Sequence, residues 1–122
     1  LNVLGIGRDL PKLEATQADA PESIYVLQAD VSTTEGREKI ALRAGSFPAV
    51  DLLVHNAAVL VPVISLTDIT LTDWRNHQQI NAEAPLFLTQ ILLPKLKGGR
   101  VLHISSGAAH HAYMGWGAYC TS

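Results

Sequence analysis

A single cysteine, Cys120, rules out an internal disulfide and supplies no thiolate cluster for zinc. No apolar run approaches the length a membrane helix needs. The first residues, Leu1 to Arg8, hold neither a basic leader nor a small-residue cleavage site. Basic residues are sparse: nine Lys and Arg against eleven Asp and Glu give a formal net charge of -2, with no cluster fit to track a phosphate backbone. A nucleic-acid partner, a membrane span and a disulfide scaffold are therefore not expected, and a reducing cytoplasm is the expected compartment. Three late histidines, His103, His110 and His111, follow no metal-ligand spacing, so no metal site is expected.

What is present suits one core. With 122 residues and 48% hydrophobic content, the chain has room for a single domain over 1–122. Short apolar segments at Asn2 to Ile6, Ile24 to Gln28, Val50 to Val54 and Arg100 to Ile104 are too brief for helices and are expected as strands. Helical patterns lie between them. Pro11 suits a first turn, with Ala15 to Ser23 expected as helix end and loop. Ser32-Thr-Thr-Glu35 has the spacing of a capping box for a helix running to about Ala44. Thr70-Leu-Thr-Asp73 repeats that spacing before a long apolar pattern from Trp74 to Leu92, which Pro85 is expected to bend. Strands alternating with helices predict an α/β fold with a parallel sheet.

In such a sheet, ligands bind beyond the carboxyl ends of the strands. Arg8 follows the first strand, Asp30 and Val31 the second, Asn56-Ala57-Ala58 the third, and Ser105-Ser106 the fourth. Each has a structural explanation, since Asp30 suits a cap, Asn56 a turn and a serine after a strand a helix start. Thirteen residues past Ser106 stands Tyr119, and a hydroxyl with a phenol at one strand end forms a plausible acid-base pair.

Together these residues resemble the middle of a short-chain dehydrogenase/reductase. His55-Asn56-Ala57-Ala58 is similar to that family's Asn-Asn-Ala-Gly motif, with His55 for the first Asn and Ala58 for the Gly. Ile80-Asn81-Ala82 matches the helix position of its catalytic Asn, at a local kink, and Ser106 and Tyr119 match its catalytic serine and tyrosine in context and separation. The resemblance implies a three-layer Rossmann-type fold and hydride transfer between a nicotinamide dinucleotide and a carbonyl carbon. In that scheme Tyr119 protonates the oxygen, Ser106 hydrogen-bonds it, and Arg8, Asp30, Val31, Asn56, Ala57 and Ala58 contact the cofactor. A phenol titrating near about 10 shuttles protons poorly at neutral pH, and the family answers with a Lys four residues on, the position after Ser122.

The family's first strand and glycine-rich turn would lie before Leu1, so the chain is expected to be an internal piece of a longer protein, lacking a central strand. Gly7 stands where NAD-dependent members usually place an acid, and Arg8 next to it offers a cation for a 2′-phosphate, so NADP(H) is the expected cofactor. The Ser105-Ser-Gly-Ala and Gly115-Trp116-x-x-Tyr119 stretches are similar to the sepiapterin reductase and benzil reductase branch, with Trp116 and Tyr113 as a flat wall for a small conjugated carbonyl substrate. A homo-oligomer, dimer or tetramer, is expected from the family. Two alternatives stay open: an NAD-dependent alcohol dehydrogenase of the same family, and a non-catalytic dinucleotide-sensing or scaffold protein.

Overall fold

Local chemistry starts each helix. Asp9 accepts the Lys12 N–H at 3.1 Å and begins α1 (Leu10–Ala18), with Pro11 in the first turn, where a missing N–H has no consequence. The helix runs further than its mixed composition predicts. The Gln17 amide donates to Ile24 O, tying its last turn to the next strand. α2 (Thr34–Gly45) is capped by Thr33, whose hydroxyl accepts the Gly36 N–H, and not by Ser32 as the capping-box spacing predicts. Asp30 has already drawn in Ser32, through both its N–H and its hydroxyl. Thr70 caps α3 (Leu71–Gln78) as expected and also donates to the Asp73 carboxylate.

This computed structural model describes residues 1–122. The strands are β1 (Val3–Gly7), β2 (Ile24–Gln28), β3 (Leu52–His55) and β4 (Arg100–His103), the third starting two residues later than expected. β1 pairs with β2 and β3 with β4, both in parallel, forming two separate two-stranded sheets. An α/β fold with parallel strands is what the alternating pattern predicts, and the split falls where a central strand is expected to be missing.

Alternation along β1 defines the layers. Gly5 and Gly7 lie against Leu13 of α1, whereas Ile6, on the other face, packs on Ala29, Ile40 of α2 and Leu88 of α4 (Ala84–Leu92). A second cluster, Ala44, Leu92 and Leu96, receives Leu53 of β3. α2 and α4 thus form one helical layer spanning both strand pairs, and α1 covers the far face of the first pair only. Leu52 and Val54, which alternate with Leu53, remain exposed. No helix is long and apolar enough to cross a membrane.

The expected bend between Trp74 and Leu92 is a π-helical turn, Gln79–Glu83, closed by Ala84 N–H to Gln79 O. Pro85 is not itself the bend. It falls in the first turn of α4, and it has no N–H for the carbonyl of Asn81, four residues earlier.

Candidate active site

The register of both pairs brings strand ends level, Gly7 with Gln28 and His55 with His103. At the first pair, Arg8 lies 4.0 Å from Asp30, with their side chains 68% and 35% exposed. Asp9, the obvious neighbour in sequence, is taken by Lys12 at 3.2 Å, and Asp30 is the partner of Arg8. The Ser32 hydroxyl, the Ser32 N–H and the nearby guanidinium hold the Asp30 carboxyl below the ordinary carboxylate range, against partial burial. Val31 is half-buried beside it.

At the second pair, Asn56, Ala57 and Ala58 are exposed on the turn that leaves β3. Before them, His55 is buried, its Nε2 2.9 Å from Thr89 Oγ1 and its ring 4.7 Å from His103. Burial, and then His103, push its imidazole below the ordinary 6.5. This has a pH signature. As pH falls through about 6.5, unfolded His55 takes a proton before folded His55 does, so stability is lost on acidification until the folded ring titrates too. Melting temperatures of the whole protein from pH 7.5 to 5 are expected to fall more steeply for wild type than for His55→Asn; equal slopes count against this assignment.

Ser106 and Tyr119 sit on short elements joined by packing, a 3₁₀ turn (Gly107–Ala109) and α5 (Gly117–Cys120). Ser106 Oγ accepts the Ala108 N–H at 3.2 Å, the capping role that a serine after a strand commonly has. The same bond leaves its own proton free to donate outward. Trp116 stands between Tyr113 and Tyr119, with ring centroids at 5.0 and 5.8 Å and planes inclined at 43° and 82°, so the three rings follow one another in a row but do not make the flat wall expected of Tyr113 and Trp116. Glycine is required at Gly115, whose φ of +78 side chains rarely adopt, whereas a Cβ on Gly117 would have to displace the exposed Leu66 side chain.

Asn81 is the hub. Its side chain exchanges two hydrogen bonds with the backbone of Val59, accepting at 2.8 Å and donating at 2.9 Å. It also donates to Ser122 Oγ at 2.8 Å, and that hydroxyl donates to Tyr119 O at 3.1 Å. The π turn, the segment after β3 and the helix of Tyr119 are thereby linked through one amide. A shallow depression of about 390 Å³ borders Asn81, Thr89 and His103. The larger one, about 520 Å³ beside Arg37 and Phe87, lies between α2 and α4 and contains none of the expected site residues.

Comparison with known proteins follows the same lines. The family model described as short chain dehydrogenase matches residues 1–122. The chain belongs to the short-chain dehydrogenase family. It is 32% identical over 120 residues to serine 3-dehydrogenase of Agrobacterium fabrum, covering 96% of this chain and 48% of that protein. It is 35% identical over 74 residues to the (S)-benzoin-forming benzil reductase of Bacillus subtilis, covering 57% of this chain and 30% of that protein. A short-chain dehydrogenase of Shigella flexneri solved in complex with NADP superposes with a TM-score of 0.87 at 28% identity, over 98% of this chain and 54% of that one. The chain spans about half the length of the Agrobacterium and Shigella dehydrogenases it matches.

In this short-chain dehydrogenase the sequence does not single out Val59, Ser122 or His77 as neighbours of the site. Val59 and Ser122 act through backbone and hydroxyl groups whose partners lie 22 and 41 residues away. His77 carried one usable signal, a polar residue one helical turn before Asn81 on the same face.

Proposed function

We propose that the whole protein reduces a small carbonyl compound with NADP(H). What supports this best is the link from Asn81 through Ser122 to the Tyr119 backbone, beside a serine whose proton is free. The strand-end residues fit a dinucleotide: Arg8 is an exposed cation for a 2′-phosphate, Asp30 and Val31 border the adenine end, and small Ala57 and Ala58 follow Asn56 without blocking approach. When bound, the dinucleotide supplies the hydride. Tyr119 gives its phenolic proton to the carbonyl oxygen and Ser106 donates a hydrogen bond to the same oxygen. Asn81 ties the Tyr119 helix to the segment after β3, and its backbone carbonyl, which Pro85 cannot serve with an N–H, suits a water in the proton path.

The aromatic row of Tyr113, Trp116 and Tyr119 offers apolar ring surface for a conjugated ketone or dicarbonyl, and the benzil reductase similarity favours that class. The serine 3-dehydrogenase similarity favours a second reading, oxidation of a hydroxyl with the same three residues running in reverse and with either cofactor. A non-catalytic dinucleotide sensor is the third. The family resemblance favours a homo-oligomer, and the lone Cys120 a reducing cytoplasm.

Steady-state kinetics of the whole protein with NADPH and NADH against diketones, aromatic ketones, aliphatic ketones and 3-hydroxy acids separate these. The expected result is a kcat/KM at least about tenfold higher with NADPH, from the charge-assisted bonds Arg8 offers. Diketones are expected to lead the panel. Equal efficiency with NADH overturns the cofactor assignment, faster hydroxy-acid oxidation overturns the substrate class, and cofactor binding without turnover supports the sensor.

A further inference from the structure

We propose that His77 is a positioning residue that holds the cofactor-bordering segment after β3, acting together with Asn81. His77 is fully buried on α3. Its Nδ1 lies 2.8 Å from Asp73 O, one turn back in its own helix, and its Nε2 lies 3.1 Å from Leu60 O. A carbonyl one turn back on a helix already receives a helical N–H. Leu60 O receives no backbone N–H at all, so the tautomer with the proton on Nε2 is the one that gives it a donor. The preceding residue is in the same position: Val59 N–H and Val59 O find their partners only in the Asn81 amide.

Backbone groups away from water need partners, and here two consecutive residues obtain theirs from two side chains one helical turn apart. Asn56, Ala57 and Ala58 immediately precede this clamped pair. Further on, Ile64 N–H donates to Gly115 O, so the segment is anchored again beside Trp116. His77 and Asn81 therefore hold the near end of a strap whose far end reaches the aromatic row. Asn81 serves the strap and the Tyr119 helix together, whereas both His77 ring nitrogens face only Asp73 O and Leu60 O. Its loss consequently acts on the turn against the cofactor and leaves the Ser122–Tyr119 connection standing.

The inference rests on the nicotinamide-dependent reading proposed above, and its test has one arm that does not. In the whole protein, His77→Leu removes the donor to Leu60 O, His77→Gln keeps an amide nitrogen at about the reach of Nε2, and His77→Asn keeps one only at the reach of Nδ1. Losing a bond to this part-buried carbonyl is expected to raise the Kd for NADPH about tenfold in the Leu and Asn variants. Their kcat at saturation is expected to stay within about threefold, the scatter of a change that leaves transition-state contacts alone. Gln restores the affinity. Independently of any cofactor, Val59 amide exchange is expected to speed up about tenfold or more in His77→Leu and not in His77→Gln. If wild type binds no nicotinamide cofactor, the functional reading fails while the exchange arm still decides the strap. Unchanged Val59 exchange in His77→Leu, or a Gln variant that is as impaired as Leu or does not fold, overturns the proposal. Should His77→Leu not fold, the Gln against Asn contrast decides, and equal affinities overturn it.

Discussion

Replacing Tyr119 by Phe is expected to lower kcat of the whole protein by about 10²–10⁴-fold, the range for loss of a positioned general acid. NADPH affinity is expected to change little. The phenyl ring keeps its edge contact with Trp116, and the backbone carbonyl that receives Ser122 Oγ is unaffected. Only the transferable proton is gone, so the loss falls on kcat and kcat/KM alike, which distinguishes a transition-state contribution from weakened binding. Ser106→Ala is expected to follow the same pattern with a smaller loss, about 10²–10³-fold, because it removes the one hydrogen bond proposed for Ser106 to the developing oxyanion. Retention of turnover within tenfold in Tyr119→Phe would refute the assignment of the acid.

The second large effect concerns residues 1–122 made by themselves. They are expected to show no cooperative unfolding transition, no tight NADPH binding and no reductase activity. Only 13 of 122 residues are buried, and the two strand pairs share no hydrogen bond, so the halves are joined chiefly through α2 and α4. β1 and β3 each leave one edge unpaired, and exposed Val3, Leu52 and Val54 lie on these strands. Edges of that kind recruit other chains, so aggregation or association is expected before a quiet monomer. Calorimetry, amide exchange and NADPH titration of the isolated chain check this. A sharp heat-absorption peak from a monomer with protected β3 amides would sink it.

Particular residues show how far the sequence could be read. Pro11, Thr70 and the run Ile24 to Gln28 gave their elements directly, because first-turn, capping and strand character depend on neighbours a few residues away. The Ser32 capping box misled. Two hydroxyls in a row competed, and Asp30, held at the end of β2, decided which was free to cap. Pro85 marked the right region for the bend, but a missing N–H can be absorbed in several ways, and the widened turn at Gln79–Glu83 follows from how the helix meets its neighbours. For Arg8, adjacency favoured Asp9 as partner, yet parallel pairing of β1 with β2 placed Asp30 beside it.

By itself, then, the sequence determined the alternation of strands and helices and the polar residues at the strand ends, since each is written within a window of local periodicity or turn chemistry, while Asn81, Ser106 and Tyr119 stood out only through the family resemblance. Only the tertiary structure decided that α2 and α4 span two separate strand pairs, that α1 covers just one of them, and that Asn81 reaches both Val59 and Ser122 while His77 reaches Leu60. Those contacts close loops of 22, 41 and 17 residues. Their partners are backbone N–H and C=O groups and a common hydroxyl, groups that every stretch of chain offers, so folding and not residue type selects among them.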